Sequence, residues 1–188
     1  MPKVLFACSK GTESVEFSGP YDILKRAGAD ITIAKVKEND KDNEKYFVTA
    51  QGLKIIADNF IDEVKDKEYD MIICPGGLPN AQILGKNATL IGMLKKQKKA
   101  GKWYCAICAS PYEVFETNGI LEGEKGTGYP GYGKFKDESK IKERVVVSNK
   151  CITSQGPCTG LEFGFALAEA LFGKEKKAQL QSDMVFKA

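Results

Sequence analysis

Trp103-Tyr104-Cys105-Ala106-Ile107-Cys108-Ala109-Ser110-Pro111 passes directly from an apolar strand pattern into a helix start. Cys108 stands at the junction, and its neighbours are small: Ala106 two residues before it, Ala109 and Ser110 just after it. A tight strand-to-helix corner strains the backbone of its central residue and leaves room only for small neighbours. A thiol at such a corner sits at a helix N-terminus, whose free amides and dipole favour thiolate over thiol. The same amides can hold an oxyanion. The stretch therefore reads as a nucleophile elbow. An elbow belongs to a strand inside a sheet with helices packed on it, which predicts an α/β fold.

The rest of the chain agrees. Lys3–Cys8 reads as a strand, followed by a helix over Val15–Ala27 that ends at Gly28. Pro20 lies in its early part, where a proline bends a helix or delays its start. Asp30–Val36 is a second strand. The run Lys37–Lys45 (KENDKDNEK) is dense in charge and reads as a solvated loop or hairpin tip. Apolar stretches at Tyr46–Thr49 and Leu53–Ala57 precede a strand at Tyr69–Cys74, bounded by Pro75-Gly76-Gly77. Helical patterns cover Ala81–Leu84 and Thr89–Lys99. The second ends in Lys95, Lys96, Lys98 and Lys99, cations suited to the negative end of a helix dipole, and reads as a solvated helix end.

Trp103–Ile107 is the elbow strand and Pro111–Thr117 the helix after it. A Gly- and Tyr-rich loop spans Gly126–Gly133. Val145–Ser148 and Cys151–Ser154 pair around an Asn149-Lys150 turn, and Thr159–Leu171 is a long apolar helix ending at Gly173, with a charged tail beyond. Alternation of short apolar runs with helical patterns signals parallel βαβ units. With no repeat or Pro-rich linker, residues 1–188 read as a single domain with a mostly parallel central sheet.

Composition narrows the function. The 188 residues are 43% hydrophobic and 28% charged, a globular balance. A net charge of +3 from interspersed residues gives no nucleic-acid footprint. No apolar run approaches the length of a membrane helix, and the N-terminal apolar run is brief with no small-residue cleavage site, so the expected address is the cytoplasm, with nucleus and organelle left open. Cysteines 8, 74 and 105 sit in apolar strand patterns, where they act as small hydrophobes and argue for reduced thiols. Histidine is absent, which excludes a His base or His metal ligand within the chain, and no zinc-spaced CxxC pairs occur. No metal or cofactor is expected.

Four stretches in this order, spread over nearly the whole chain, resemble the ThiJ/PfpI superfamily and within it the DJ-one (parkinsonism-protein) branch. They are Gly11-Thr-Glu-Ser-Val-Glu16, Pro75-Gly-Gly77, Ala106-Ile-Cys-Ala-Ser-Pro111, and Thr153-Ser-Gln-Gly-Pro157 with Glu162-Phe163. The resemblance implies a flavodoxin-like α/β/α sandwich and a homodimer, formed through the first helix and the Val48–Gly52 region. It implies Cys108 as the reactive cysteine, Glu16 as the carboxyl touching it, and an oxyanion pocket from the Gly77 and Ala109 amides. Gly76 adjoins that pocket. Family members are associated with glutathione-independent glyoxalase and deglycase activity on methylglyoxal, glyoxal and their early adducts, and with redox sensing and chaperone-like holding.

The chain departs from the family pattern at three positions. Where relatives often carry a catalytic His it has Tyr129, and where they often carry pocket arginines it has Gln51 and Gln155. The resulting expectation is a slow, cysteine-dependent enzyme in which Glu16 moves protons. A Glu beside a thiolate has its pKa raised by burial and like charge, which suits the role. The alternative is a non-enzymatic sensor or holdase acting through Cys108 sulfinate. Without the resemblance, Glu16 reads as a first-turn acid stabilised by the helix dipole, as Glu13 still does. Thioredoxin-like exchange through Cys105 and Cys108 is disfavoured, because Cys105 lies inside the strand and alternation points the two thiols apart. Cys151 and Cys158, flanking the Ser154-Gln155-Gly156 turn, read as buried or inert thiols.

Overall fold

The computed structural model describes residues 1–187. Its strands are β1 (Lys3–Cys8), β2 (Asp30–Lys35), β3 (Tyr46–Val48), β4 (Lys54–Ile56), β5 (Asn59–Phe60), β6 (Met71–Cys74), β7 (Trp103–Ile107), β8 (Val145–Ser148) and β9 (Cys151–Ser154). Its α-helices are α1 (Ser14–Ala27), α2 (Ile61–Val64), α3 (Asn80–Lys86), α4 (Ala88–Lys99), α5 (Gly160–Phe172) and α6 (Lys174–Asp183). A π-helical turn, Pro111–Glu116, follows β7.

Seven strands form one sheet in the order β5-β2-β1-β6-β7-β9-β8. All neighbours are parallel except β8, which pairs antiparallel with β9 around Asn149. Strand alternation sends side chains to two core layers. Val4, Phe6, Ile73 and Ile107 meet Phe163, Phe165 and Leu167 of α5, while Leu5, Ile72 and Tyr104 meet Leu90 and Leu94 of α4. The sheet is therefore covered on both faces, the arrangement parallel strands require. This is the expected flavodoxin-like sandwich. The chain leaves β1 toward β2 on one side and later returns to β6 on the other. In such sheets the crevice at the carboxyl ends of the strands, where the order reverses, is where sites form.

Several expectations need correction. Helix α1 starts at Ser14 and runs through Pro20 without interruption, although Pro20 lies beyond the first turn and cannot donate the bond to Glu16 O. The charge run is not simply solvated. Lys35 is buried, and its ammonium pairs with Asp42 at 2.5 Å and donates to Glu44 O at 2.8 Å, folding the segment back on the end of β2. Lys98 of the supposed solvated helix end donates to the carbonyls of Ile120 and Glu122. The charged tail is helix α6, and Cys158 is exposed rather than buried.

Candidate active site

Three strand ends build the site. The loop after β1 leads into α1, which carries Glu16 in its first turn; Pro75-Gly76-Gly77 follows β6; and Cys108 follows β7. Cys108 has φ +67°, a left-handed conformation rare for a residue with a side chain. Two backbone bonds hold it there: Cys108 N donates to Ser154 O at 3.0 Å, and Tyr129 N donates to Cys108 O at 2.8 Å. Such strain costs about 1–3 kcal/mol and persists only where the surroundings over-determine it. The elbow expected from the small flanking residues is present.

Glu16 is wholly buried. Its Oε2 accepts from Gly76 N at 3.0 Å, while Oε1 is buried with no partner at full hydrogen-bond geometry. The group coupled to the carboxyl is the Cys108 thiol, a weak donor. Gly76 is what lets them approach: a Cβ there would lie 2.5 Å from both Cys108 Cβ and Glu16 Oε2. Gly77 is constrained differently. Its φ is +87°, and a Cβ would lie 2.2 Å from Gly11 O.

Burial dominates the protonation of both groups. It lifts Glu16 from 4.5 to about 7, with Glu13 adding like charge, while bonds from Cys108 and Gly76 oppose the rise. Burial first, and then the Glu16 carboxylate, push the Cys108 thiol up to about 12, against the Gly77 and Ala109 amides, which pull it down. Burial and the neighbouring carboxylate thus oppose the thiolate that a helix dipole was expected to favour. The following helix is one short π-helical turn, too little to outweigh desolvation. Burial thus favours the neutral form of both groups, and charge on either one opposes charge on the other.

The remaining sequence-selected residues divide. Tyr129 is about half exposed, and its ring packs over Gly156, a position 3.9 Å from Glu16 Oε1 when measured from a Cβ placed there. Gln51 is tied elsewhere, its Oε1 accepting from Ser14 N at 2.9 Å to cap α1. Gln155 is tied too, donating to Ile141 O at 3.2 Å. Glu13 is the N-cap, accepting from Glu16 N at 2.8 Å. Cys105 is fully buried in β7 and does not open a helix. Both Cys105 and Cys108 border the same core layer, because the left-handed turn takes Cys108 out of strand alternation. Asn80, wholly buried behind Gly76 and donating to the carbonyls of Pro75 and Gly76, escaped the sequence reading. Its only signal is an Asn at a helix start.

Among the described residues no helix is long and apolar enough to cross a membrane. The chain is 41% identical over 180 residues to protein DJ-1 homolog B of Arabidopsis thaliana, covering 95% of this chain and 40% of that protein. It thus spans about two fifths of the length of that relative. It is 32% identical to the glutathione-independent glyoxalase DJ-1 of Schizosaccharomyces pombe, covering 94% of each chain. The structure of oxidized Toxoplasma gondii DJ-1 matches with TM-score 0.89 and 34% identity over the full length of both chains. The DJ-1/PfpI family matches residues 2–170, and with the elbow, the buried carboxyl and the glycine corner in place, the chain belongs to that family.

Proposed function

We propose that the protein is a cysteine-dependent, glutathione-independent glyoxalase of the deglycase type, acting on methylglyoxal, glyoxal and their early adducts on side chains. The observation that carries this is the buried Glu16, poised near neutrality against a thiol on a strained corner. As the carboxylate, Glu16 takes the thiol proton while sulfur adds to the aldehyde carbon, then passes that proton to the aldehyde oxygen, giving a hemithioacetal and restoring the carboxylate. The hemithioacetal oxygen faces the Gly77 and Ala109 amides. Glu16 then moves a proton from that carbon to its neighbour through an enediol, so the aldehyde carbon is oxidised as the ketone carbon is reduced. The thioester that results hydrolyses to lactate and frees the thiol. The glyoxalase name of the Schizosaccharomyces pombe relative supports the reading. With no histidine and with Tyr129 half exposed, one carboxyl carries both proton transfers, which favours slow turnover.

The test is lactate formation from methylglyoxal by protein freed of host glyoxalases. Cys108→Ser abolishes it, and Glu16→Gln lowers it about a hundredfold. Wild-type turnover in Glu16→Gln would sink the proton-shuttle role.

A second reading, a redox sensor, draws on the unpartnered Oε1. In its protonated form it can donate to a sulfinate on Cys108, and the Toxoplasma gondii relative is known in an oxidized form. Sulfinate confined to Cys108 after mild peroxide, without lactate formation, would select the sensor. Exposed Val15, Val48, Leu53, Ile56 and Leu161 lie on α1, the β3–β4 hairpin and α5, and we assign this face to a homodimer contact. The free thiols suit a reducing compartment such as the cytoplasm.

A further inference from the structure

One side chain bonds both carbonyls of the Pro75-Gly76-Gly77 corner from behind. Asn80 opens α3 and is wholly buried, yet its amide is fully used. Its Oδ1 accepts from Ser9 N at 2.7 Å and from Thr12 Oγ1 at 3.0 Å. Its Nδ2 donates to Pro75 O at 2.8 Å and to Gly76 O at 3.1 Å. Ser110 Oγ adds a bond to Pro75 O at 2.6 Å, and Glu13 N one to Gly76 O at 3.0 Å.

A trans peptide is planar, with its carbonyl and its N–H pointing to opposite sides. A donor that fixes Pro75 O therefore aims the Gly76 N–H, which donates to Glu16 Oε2 at 3.0 Å. A donor that fixes Gly76 O aims the Gly77 N–H, whose dipole draws the Cys108 thiol pKa down. We propose that Asn80 is a positioning residue whose single amide sets both peptide groups, one serving the carboxyl and the other the thiol. Ser9 and Thr12 lock that amide in the orientation that puts Nδ2 toward the corner. The inference rests on the roles proposed for Cys108 and Glu16. It adds that their protonation and the oxyanion site depend on a residue that touches neither of them.

A plain fastener would look similar in the folded structure but behave differently when removed. Both aimed N–H groups favour the charged form of their partner, so losing their alignment raises both pKa values. The experiment measures the rate of Cys108 alkylation by iodoacetamide against pH, together with kcat and KM for methylglyoxal. Asn80→Asp keeps the shape and the acceptor oxygen but removes both N–H donors. Asn80→Ala removes them without placing a charge in the core, and so decides the matter if the Asp variant fails to fold.

The expected result is an upward move of the alkylation inflection by about half a pH unit or more. A fall in kcat of about tenfold, with KM within about twofold, should accompany it. Leu84→Ala, on the same helix but packed in the opposite core layer, is the stability control. It should lower the melting temperature and leave the inflection in place. An unmoved inflection in a folded Asn80 variant, or an equal shift in Leu84→Ala, overturns the positioning role. Alkylation reports on the thiol whatever the substrate, so lactate formation surviving in Cys108→Ser would sink the glyoxalase reading without touching this result.

Discussion

Cys74 ends β6 and Cys108 lies one residue past the end of β7, on neighbouring parallel strands in which Cys74 is paired with Ala106. Each is followed by a turn of small residues and proline. Cys74 keeps regular strand geometry, lies wholly within the core layer it shares with Leu84, and has its thiol raised by burial alone. Cys108 is only 8% exposed, hardly more, but its left-handed backbone turns it toward Glu16 and the crevice. Burial therefore does not separate Cys74 from Cys108, the proposed nucleophile. A change in the sign of one φ does. In the proposed mechanism the two corners also divide the work: the one after Cys74 supplies glycine amides, and the one after β7 supplies the nucleophile.

The comparison is most open to attack through reactivity. In the native protein, Cys108 should be alkylated about a thousandfold faster than Cys74, which reacts only when its strand opens. Peptide mass mapping over time, with the exposed Cys158 as an internal reference, measures the ratio. Comparable rates at Cys74 and Cys108 would break the distinction. Both thiols carry raised pKa values, so the expected difference comes from access and from Glu16 as a local base, not from a standing thiolate.

Much of this division was legible along the chain. Small residues around Cys108 foretold the elbow, because the steric cause is local. The βαβ order was legible for the same reason, each strand carrying its own apolar run. What escaped reading was non-local or short. Strand β5 has two residues and helix α2 has four, below the length at which periodicity shows. Helix α6 buries only Leu180 and so presents no apolar stripe. Asp42 looks solvated in a row of charges until folding brings the row back onto Lys35 at the end of β2. Asn80 meets Ser9 from a position 71 residues away, and no spacing rule links them. The family resemblance pointed to Glu16, which composition alone would have left as a first-turn acid.

The glycine corner can be probed directly. Gly76→Ala would place a methyl group 2.5 Å from Cys108 Cβ and 2.8 Å from Ile107 O, so one corner must move away from the other. Because Glu16, the amides and the thiol meet only there, lactate formation should fall about a hundredfold, the scale of a lost oxyanion donor. Overpacking should add a stability loss of about 1–3 kcal/mol. Activity that survives in a folded Gly76→Ala protein would show that the corners need not touch.

Glu16 distinguishes the corners in a further, smaller way, since nothing at the Cys74 corner titrates near neutrality. An acid whose pKa rises from 4.5 unfolded to about 7 folded holds its proton more tightly in the native state. Its contribution to stability is then complete below about pH 4.5 and is lost as pH rises through about 7. The span of the shift corresponds to about 3 kcal/mol, or more than about a hundredfold in the folding equilibrium. Asp42, lowered by Lys35, acts in the opposite sense and in a separate window below its ordinary 3.8. Urea unfolding of wild type and Glu16→Gln at pH 4.5, 6 and 7.5 isolates the effect, because the glutamine cannot titrate. Wild-type stability should decline across this range relative to the variant. A constant difference between the two proteins would mean that Glu16 is not held near neutrality, and the carboxyl would then lack the poise that separates its corner from that of Cys74.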